Sequence, residues 1–294
     1  MPATPRPRRS VLYMPGANRR ALEKGRSLPT DAIIMDLEDA VTPDAKDEAR
    51  DNILEALQTG GYGARELIVR VNDLSSAWGR ADLAAMAGAD ADAILIPKVE
   101  SAGDVDAALE VLDANNAPAA LGVWCMMETP LAILDAKAIA GASPRLAALV
   151  MGTSDLAKDL GAAHTPDRAP LLTALSLCIL AARAHGLAVL DGVQLDLADD
   201  EGFAAACRQG RDLGFDGKTL IHPKTLAAAN RVYSPSEDDL AWARRIIAAH
   251  AAAEADGKGV VLVDGKLIEN LHVDAAKRLA AQAEMIAAGA AASI

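Results

Sequence analysis

A (β/α)8 TIM barrel with a C-terminal helical and hairpin extension is the fold class that this 294-residue sequence predicts, and three observations predict it. Eight short β-rich runs lie between residues 11 and 221. Their starts are about 20 to 40 residues apart, the length of a strand, a helix and two turns. Ala/Leu-rich segments with helical spacing fill the gaps. Polar and charged residues gather at the ends of the runs, where a barrel of this kind places its active site. A count of seven strands plus a stray run would leave an open sheet instead.

The runs are residues 11–14, 32–37, 67–71, 93–97, 121–127, 147–151, 188–193 and 217–221. Each is almost wholly apolar, as a strand covered on both faces requires. Residues 45–58, 104–115 and 169–185 carry the helical pattern between them. Neither GxGxxG nor GxxxxGK[ST] occurs, so the usual nucleotide loops are missing. The barrel domain is expected over residues 1–235 and a lid or arm over 236–294. Within the arm, 236–256 reads as a helix that Ser236 and Glu237 suit at its start. Residues 257–265 (GKGVVLVDG) read as a hairpin and 271–288 as a terminal helix.

Apolar residues make up 51% of the chain but aromatics only 3%, so Ala, Leu, Val and Ile must build the core. A formal charge of −12 argues against sequence-independent binding to nucleic acid or anionic membranes. Cys125, Cys178 and Cys207 are scattered with no CxxC pair, which suggests a reducing compartment. The start MPATPRPRRS has no apolar signal region, and no apolar run reaches the roughly 18 residues of a membrane span. The expectation is a soluble, cytoplasmic protein.

The run ends supply Asp36, Glu38 and Asp39; Arg70 and Asn72; Lys98 and Glu100; Glu128; Gly152, Thr153, Ser154 and Asp155; Asp191; and His222. Glu128 and Asp155 are the best metal pair. Each follows an apolar strand without an adjacent base, and two carboxylates with waters commonly hold Mg²⁺. Arg70 offers a planar fork for a carboxylate. Gly152, Thr153 and Ser154 present backbone N–H groups near a helix start. Together these suit a divalent metal chelated by a small oxo-acid, whose oxygen it polarises. Cys125 reads as a small buried side chain, Trp124 as core or barrel exterior, and His222 as a locally bonded turn residue.

The ordered set RSVLYMPGANRRALEK, DAIIMDLEDAVTPDAKDEAR, LIVRVND, AILIPKVES, METP, VMGTSDLAKDLG, DGVQLD, GKTLIHPKTL and DGKLIENLHVDAAKRL resembles the HpcH/HpaI aldolase and citrate-lyase β-subunit family. The likeness covers nearly the whole chain. It implies a Mg²⁺-dependent barrel (Mn²⁺ as a substitute), with coenzyme A as part of the substrate and assembly as a homotrimer or homohexamer. By resemblance, Glu128 and Asp155 match metal ligands, and Arg70 the arginine on the oxo-acid. Glu38 and Asp39 match acids behind the metal, while Tyr13, Arg19 and Lys24 fall in the segment that meets CoA. Glu269 stands where many relatives carry an Asp acid/base, and Lys224 where Gln is common.

The implied activity is lysis of a malyl-, methylmalyl- or citramalyl-CoA into an acyl-CoA and a 2-oxo-acid. The alternative is (3S)-malyl-CoA thioester hydrolysis at the same site. A role as a subunit of a complex and a CoA-independent aldolase are the remaining readings.

Overall fold

In the computed structural model, which describes residues 6–255 and 260–291, eight parallel strands close into a barrel in sequence order, with the eighth returning to the first. The chain runs from β1 (Ser10–Pro15) through α1 (Arg19–Gly25), β2 (Ala32–Asp36), α2 (Lys46–Thr59) and β3 (Glu66–Arg70) to α3 (Gly79–Met86). It continues with β4 (Ala93–Ile96), α4 (Ala102–Ala114), β5 (Gly122–Met127) and the short helices α5 (Pro130–Leu134) and α6 (Ala136–Ala140). Then come β6 (Leu146–Met151), α7 (Thr153–Leu160), α8 (Leu172–His185), β7 (Ala188–Asp191), α9 (Asp200–Leu213), β8 (Gly217–Leu220) and α10 (Leu226–Tyr233). All eight expected strands are present, shifted by at most a few residues at their ends. Closure pairs Ser10 with Lys218 and Leu12 with Leu220.

The two-residue period of a strand divides each run between two cores. Val11, Ile34, Ile68, Leu95, Trp124, Val150 and Leu190 fill the barrel interior. Their neighbours Leu12, Ile33, Val69, Ile94, Val123, Leu149 and Val189 pack outward under the helices. Trp124 is therefore an interior residue and not on the barrel exterior. Cys125 points the other way; burial pushes its thiol well above the usual range, in keeping with a packing role. Arg8, just before β1, holds Glu66 at 2.6 and 2.7 Å. Its guanidinium lies 5.1 Å from the Trp124 ring centroid, closing the N-terminal end of the barrel.

Helix starts follow local chemistry. Ser101 and Asp104 form a reciprocal capping box at α4. Asp191, expected on the rim, instead turns outward between β7 and α9 and is fully buried. There it pairs with Arg168 at 2.7 Å and Lys218 at 2.9 Å.

The chain divides into two compact units, one Arg8–Tyr233 and the next beginning at Ser234. The second holds α11 (Glu237–Ala255), β9 (Val261–Val263), β10 (Lys266–Ile268) and α12 (Asn270–Ala291). Ser236 caps α11 through its reciprocal bonds with Asp239. The hairpin is displaced from the expected 257–265: Asp264 and Gly265 form its turn, and residues 256–259 lie outside the described residues. Both turn residues have positive φ (49° and 76°), which suits the twist of a two-residue hairpin and makes Lys266–Ile268 its second strand. Ala243, Ile246, Ile268, Val273 and Ala276 form this unit's core.

Barrel closure leaves no room at Gly217, where a Cβ would stand 1.8 Å from the Arg8 carbonyl oxygen. Gly217→Ala is expected to cost about 3 kcal/mol in chemical denaturation, because only backbone movement relieves the overlap. Gly88→Ala, with nothing within 4 Å of the added carbon, is expected to stay within about 0.5 kcal/mol of wild type.

Candidate active site

The parallel register sets Asp36 at the end of β2 directly beside Arg70 at the end of β3. Arg70 donates Nε–H and Nη2–H to the two carboxylate oxygens of Asp36, each at 2.6 Å. Both groups are buried. The Asp36 carboxylate also accepts from the backbone N–H groups of Glu38 (2.9 Å) and Ala40 (3.1 Å), so its lone pairs are well used. The Tyr13 ring lies beneath the guanidinium, 4.8 Å from centroid to Cζ. Burial works against the charge of Arg70, but Asp36, Tyr13 and Glu38 outweigh it and hold the pKa above its usual value.

Only Nη1 of Arg70 remains for the mouth. It stands 2.7 Å from Glu38 Oε2, 3.6 Å from Asp39 Oδ2 and 3.7 Å from Met126 Sδ. The contact with Glu38 Oε2 is an ion pair without hydrogen-bond geometry, so that buried oxygen accepts no hydrogen bond. Burial, opposed by Arg70 and helped by Asp39 and Asp36, pushes the Glu38 carboxyl up to about 7.

Glu128, 1% exposed just beyond β5, accepts the Lys98 backbone N–H at 2.7 Å. Lys98 adopts a left-handed φ of 51°, a cost that a non-glycine residue bears only when its surroundings fix it. Its ammonium lies 3.7 Å from Glu38. Burial lowers the Lys98 pKa, but Glu38, Glu128, Asp39 and Asp155 together raise it above the usual value. Burial, then the Glu38 charge, push Glu128 up to about 8, with Asp155 adding in the same direction. Gly152, the N-cap of α7, borders Glu128: a Cβ there would meet Glu128 Cβ at 2.4 Å and Oε2 at 2.5 Å. Thr153 is buried beside Gly192, and Ser154 and Asp155 are half-buried in the first turn of α7.

Five carboxylates (Asp36, Glu38, Asp39, Glu128, Asp155) thus meet two cations, Arg70 and Lys98. The surplus of negative charge and the Glu38 oxygen without a hydrogen-bond donor both suit a divalent cation on oxygen donors. Among the described residues no group of three or more His, Cys, Asp or Glu is placed to hold a metal. The oxygen donors that are present suit a hard cation that keeps several waters.

A model of the HpcH/HpaI aldolase/citrate lyase family matches residues 9–223. The chain belongs to this family. It is 54% identical, over 96% of both chains, to a (3S)-malyl-CoA thioesterase of Cereibacter sphaeroides. An L-malyl-CoA/beta-methylmalyl-CoA lyase of the same species is 37% identical over 98% of both chains. Among solved structures, protein CitE of Mycobacterium tuberculosis, in complex with magnesium, acetoacetate and coenzyme A, superposes with a TM-score of 0.75. That match has 29% identity and covers 94% of this chain and 97% of CitE. The malyl-CoA relatives are enzymes acting on CoA esters.

Not every residue singled out by resemblance to the family joins the cluster. Tyr13 does, as the platform under Arg70. Arg19 is exposed and paired with Glu55 at 2.7 Å in a separate 210 Å³ cavity between α1 and α2. Lys24 is exposed in the last turn of α1. Glu269 belongs to the second unit, exposed just before α12, where its N–H donates to His272 Nδ1 at 3.1 Å. His222 accepts from the N–H of Lys224, whose ammonium pairs with Asp200 at 2.9 Å. The two-point grip expected of Arg70 on a ligand carboxylate is corrected, since Asp36 occupies the fork and Nη1 alone faces outward. In the sequence Asp36 is legible only as one of the acids at a run end; its pairing needs the β2–β3 register.

The raised carboxyl of Glu128 has a consequence for stability. Between about 4.5 and 8 the folded state holds a proton that the unfolded state has released, so stability falls as pH rises through that window. Denaturant melts of the metal-free protein from pH 5 to 8 are expected to show a decline of up to about 1.4 kcal/mol per pH unit from this group. Glu128→Gln is expected to make the decline shallower, leaving the part that Glu38 contributes; an unchanged slope in that variant refutes the assignment.

Proposed function

We propose that the protein is a Mg²⁺-dependent enzyme of malyl-type CoA thioesters and that it hydrolyses (3S)-malyl-CoA to malate and CoA. The observation that carries the substrate class is the acid-rich mouth built around Arg70 and Glu128. It offers the Arg70 Nη1 amino group for a ligand oxygen and an oxygen-donor set for a divalent cation. Hydrolysis is favoured over carbon–carbon cleavage by likeness, 54% to the thioesterase against 37% to the lyase over nearly full lengths.

Glu128 and Asp155 would hold Mg²⁺, or Mn²⁺ on the same donors, which supplies Lewis-acid polarisation of a bound oxygen. Arg70 Nη1 orients the substrate's acid end, and Tyr13 and Asp36 fix the guanidinium plane. Gly152, Thr153 and Ser154 line the approach with backbone. Glu38 and Asp39 keep Arg70 in place from the mouth side. Water adds to the thioester carbonyl, its proton passing to a carboxylate for which Glu269 is the assigned group, and the thiolate leaves and is protonated. Arg19 and Lys24 are assigned to the nucleotide phosphates of CoA. Action as a homotrimer or homohexamer belongs to the same proposal.

The second reading, a lyase releasing an acyl-CoA and a 2-oxo-acid, is favoured by the same cation site, since a polarised oxo-acid oxygen also stabilises carbon–carbon cleavage. Incubation with (3S)-malyl-CoA and Mg²⁺ separates the two. Free CoA and malate in equal amounts, without glyoxylate, are the expected products. Glyoxylate with acetyl-CoA and no free thiol establishes the lyase. Neither product set from malyl-, methylmalyl- or citramalyl-CoA sinks both.

Mg²⁺ must also displace the Glu128 proton. Calorimetry at pH 7 in buffers of different ionisation enthalpy is expected to show proton release on binding. Affinity should weaken by up to about tenfold per pH unit below 8. Pairing of binding with no proton release rules out Glu128 as a ligand.

A further inference from the structure

Lys46 opens α2 and is only 6% exposed, an unusual place for an ammonium with no carboxylate in hydrogen-bond contact. Its three donors meet three acceptors, each at 2.7 Å: the carbonyl oxygens of Leu37 and Glu38 and Oδ1 of Asn72. A buried cation is costly, and here its hydrogen bonds all go to neutral oxygens that fix backbone geometry. Asn72 is itself held, donating Nδ2–H to Leu37 O at 2.9 Å and to Asp82 Oδ2 at 2.6 Å.

The turn after β2 is thus clamped from two sides by opposite charges. Asp36 gathers the N–H groups of Glu38 and Ala40. Lys46 gathers the C=O groups of Leu37 and Glu38. Glu38 is the residue held by both clamps, and its side chain stands against Arg70.

We infer that Lys46 is a positioning residue of this site: it fixes the backbone of Leu37 and Glu38 so that the Glu38 carboxylate stays on Arg70 Nη1. The inference concerns geometry, and only its kinetic readout rests on the proposed thioester reaction. Lys46 also lines a 310 Å³ cavity that it shares with Glu38, Trp78 and Lys98. A small amine can therefore reach the space left by truncation.

Two variants test this. In a crystal structure of Lys46→Met, which keeps the apolar stem, the Glu38–Arg70 contact of 2.7 Å is expected to open. Its kcat is expected to fall about 10- to 100-fold, the usual effect of losing a group behind the reacting residues, with KM unchanged. Lys46→Ala is expected to show the same loss, with saturable recovery of kcat by propylammonium. The Met variant, which fills the space, should not respond to the amine. A merely structural lysine would give a lower melting temperature without amine-dependent kcat.

Retention of the Glu38–Arg70 contact in Lys46→Met overturns the inference. So does full activity of Lys46→Ala, or a loss that no alkylammonium restores. If Lys46→Ala does not fold, the Met structure decides alone. If wild type turns over no thioester at all, the proposed function fails, while the Glu38–Arg70 distance in Lys46→Met still decides the role of Lys46.

Discussion

The buried pair of Asp36 and Arg70 is the interaction on which the rest of the mouth depends. Taking two such charges out of water costs several kcal/mol per ion, and the cost is recovered only when geometry is good and the remaining lone pairs are used. Here the fork is two-pronged at 2.6 Å, and two backbone N–H groups complete the carboxylate. The pair joins β2 to β3, sets the turn that carries Glu38, and leaves the Nη1 amino group facing outward. Removal of either partner would strand a charge inside the barrel. Tyr13 from β1 and Met126 from β5 are packed around it, so four strands share one fixed point.

Much of the barrel was legible in the sequence because parallel strands covered on both faces must be apolar along their length, and runs such as 32–35 and 146–151 show that directly. Glu128 and Asp155 were visible for a related reason, since a carboxylate ending an apolar run has no local explanation. What could not be read is what depends on register and rotation. The sequence lists Asp36, Glu38 and Asp39 together, but only the β2–β3 alignment sends the first into the Arg70 fork. The outward turn of Asp191 onto Lys218 and Arg168 is a similar case: its place at a strand end suggested the mouth, while the side-chain period sends it to the opposite face. The left-handed Lys98 and the buried Lys46 leave no local signature, because each depends on a partner at another strand's end: Glu128 for the first, Asn72 together with the turn after β2 for the second. The Asp-Gly pair at 264–265 carried its signal, yet placing it at the end of the hairpin put the turn in the wrong position.

An acid-rich mouth with few cations is suited to more than one reaction. The family's malyl-CoA members include a thioesterase and a lyase, both similar to this chain over nearly its full length. A polarised oxygen and a fixed guanidinium serve either outcome. What distinguishes them is whether water adds to the thioester carbonyl or the β-hydroxyl loses its proton and the carbon–carbon bond breaks. The near-neutral carboxyls of Glu38 and Glu128 make the mouth responsive to cation and pH together, since charge that is costly in the bare site is stabilised once a cation is present.

The plug formed by Arg8, Glu66 and the Trp124 ring gives the barrel a floor as well as a wall. Packed layers beneath the Asp36–Arg70 pair keep water away from it on that side. The low-dielectric surroundings that strengthen the pair are thus secured from below, by contacts made before the first strand begins.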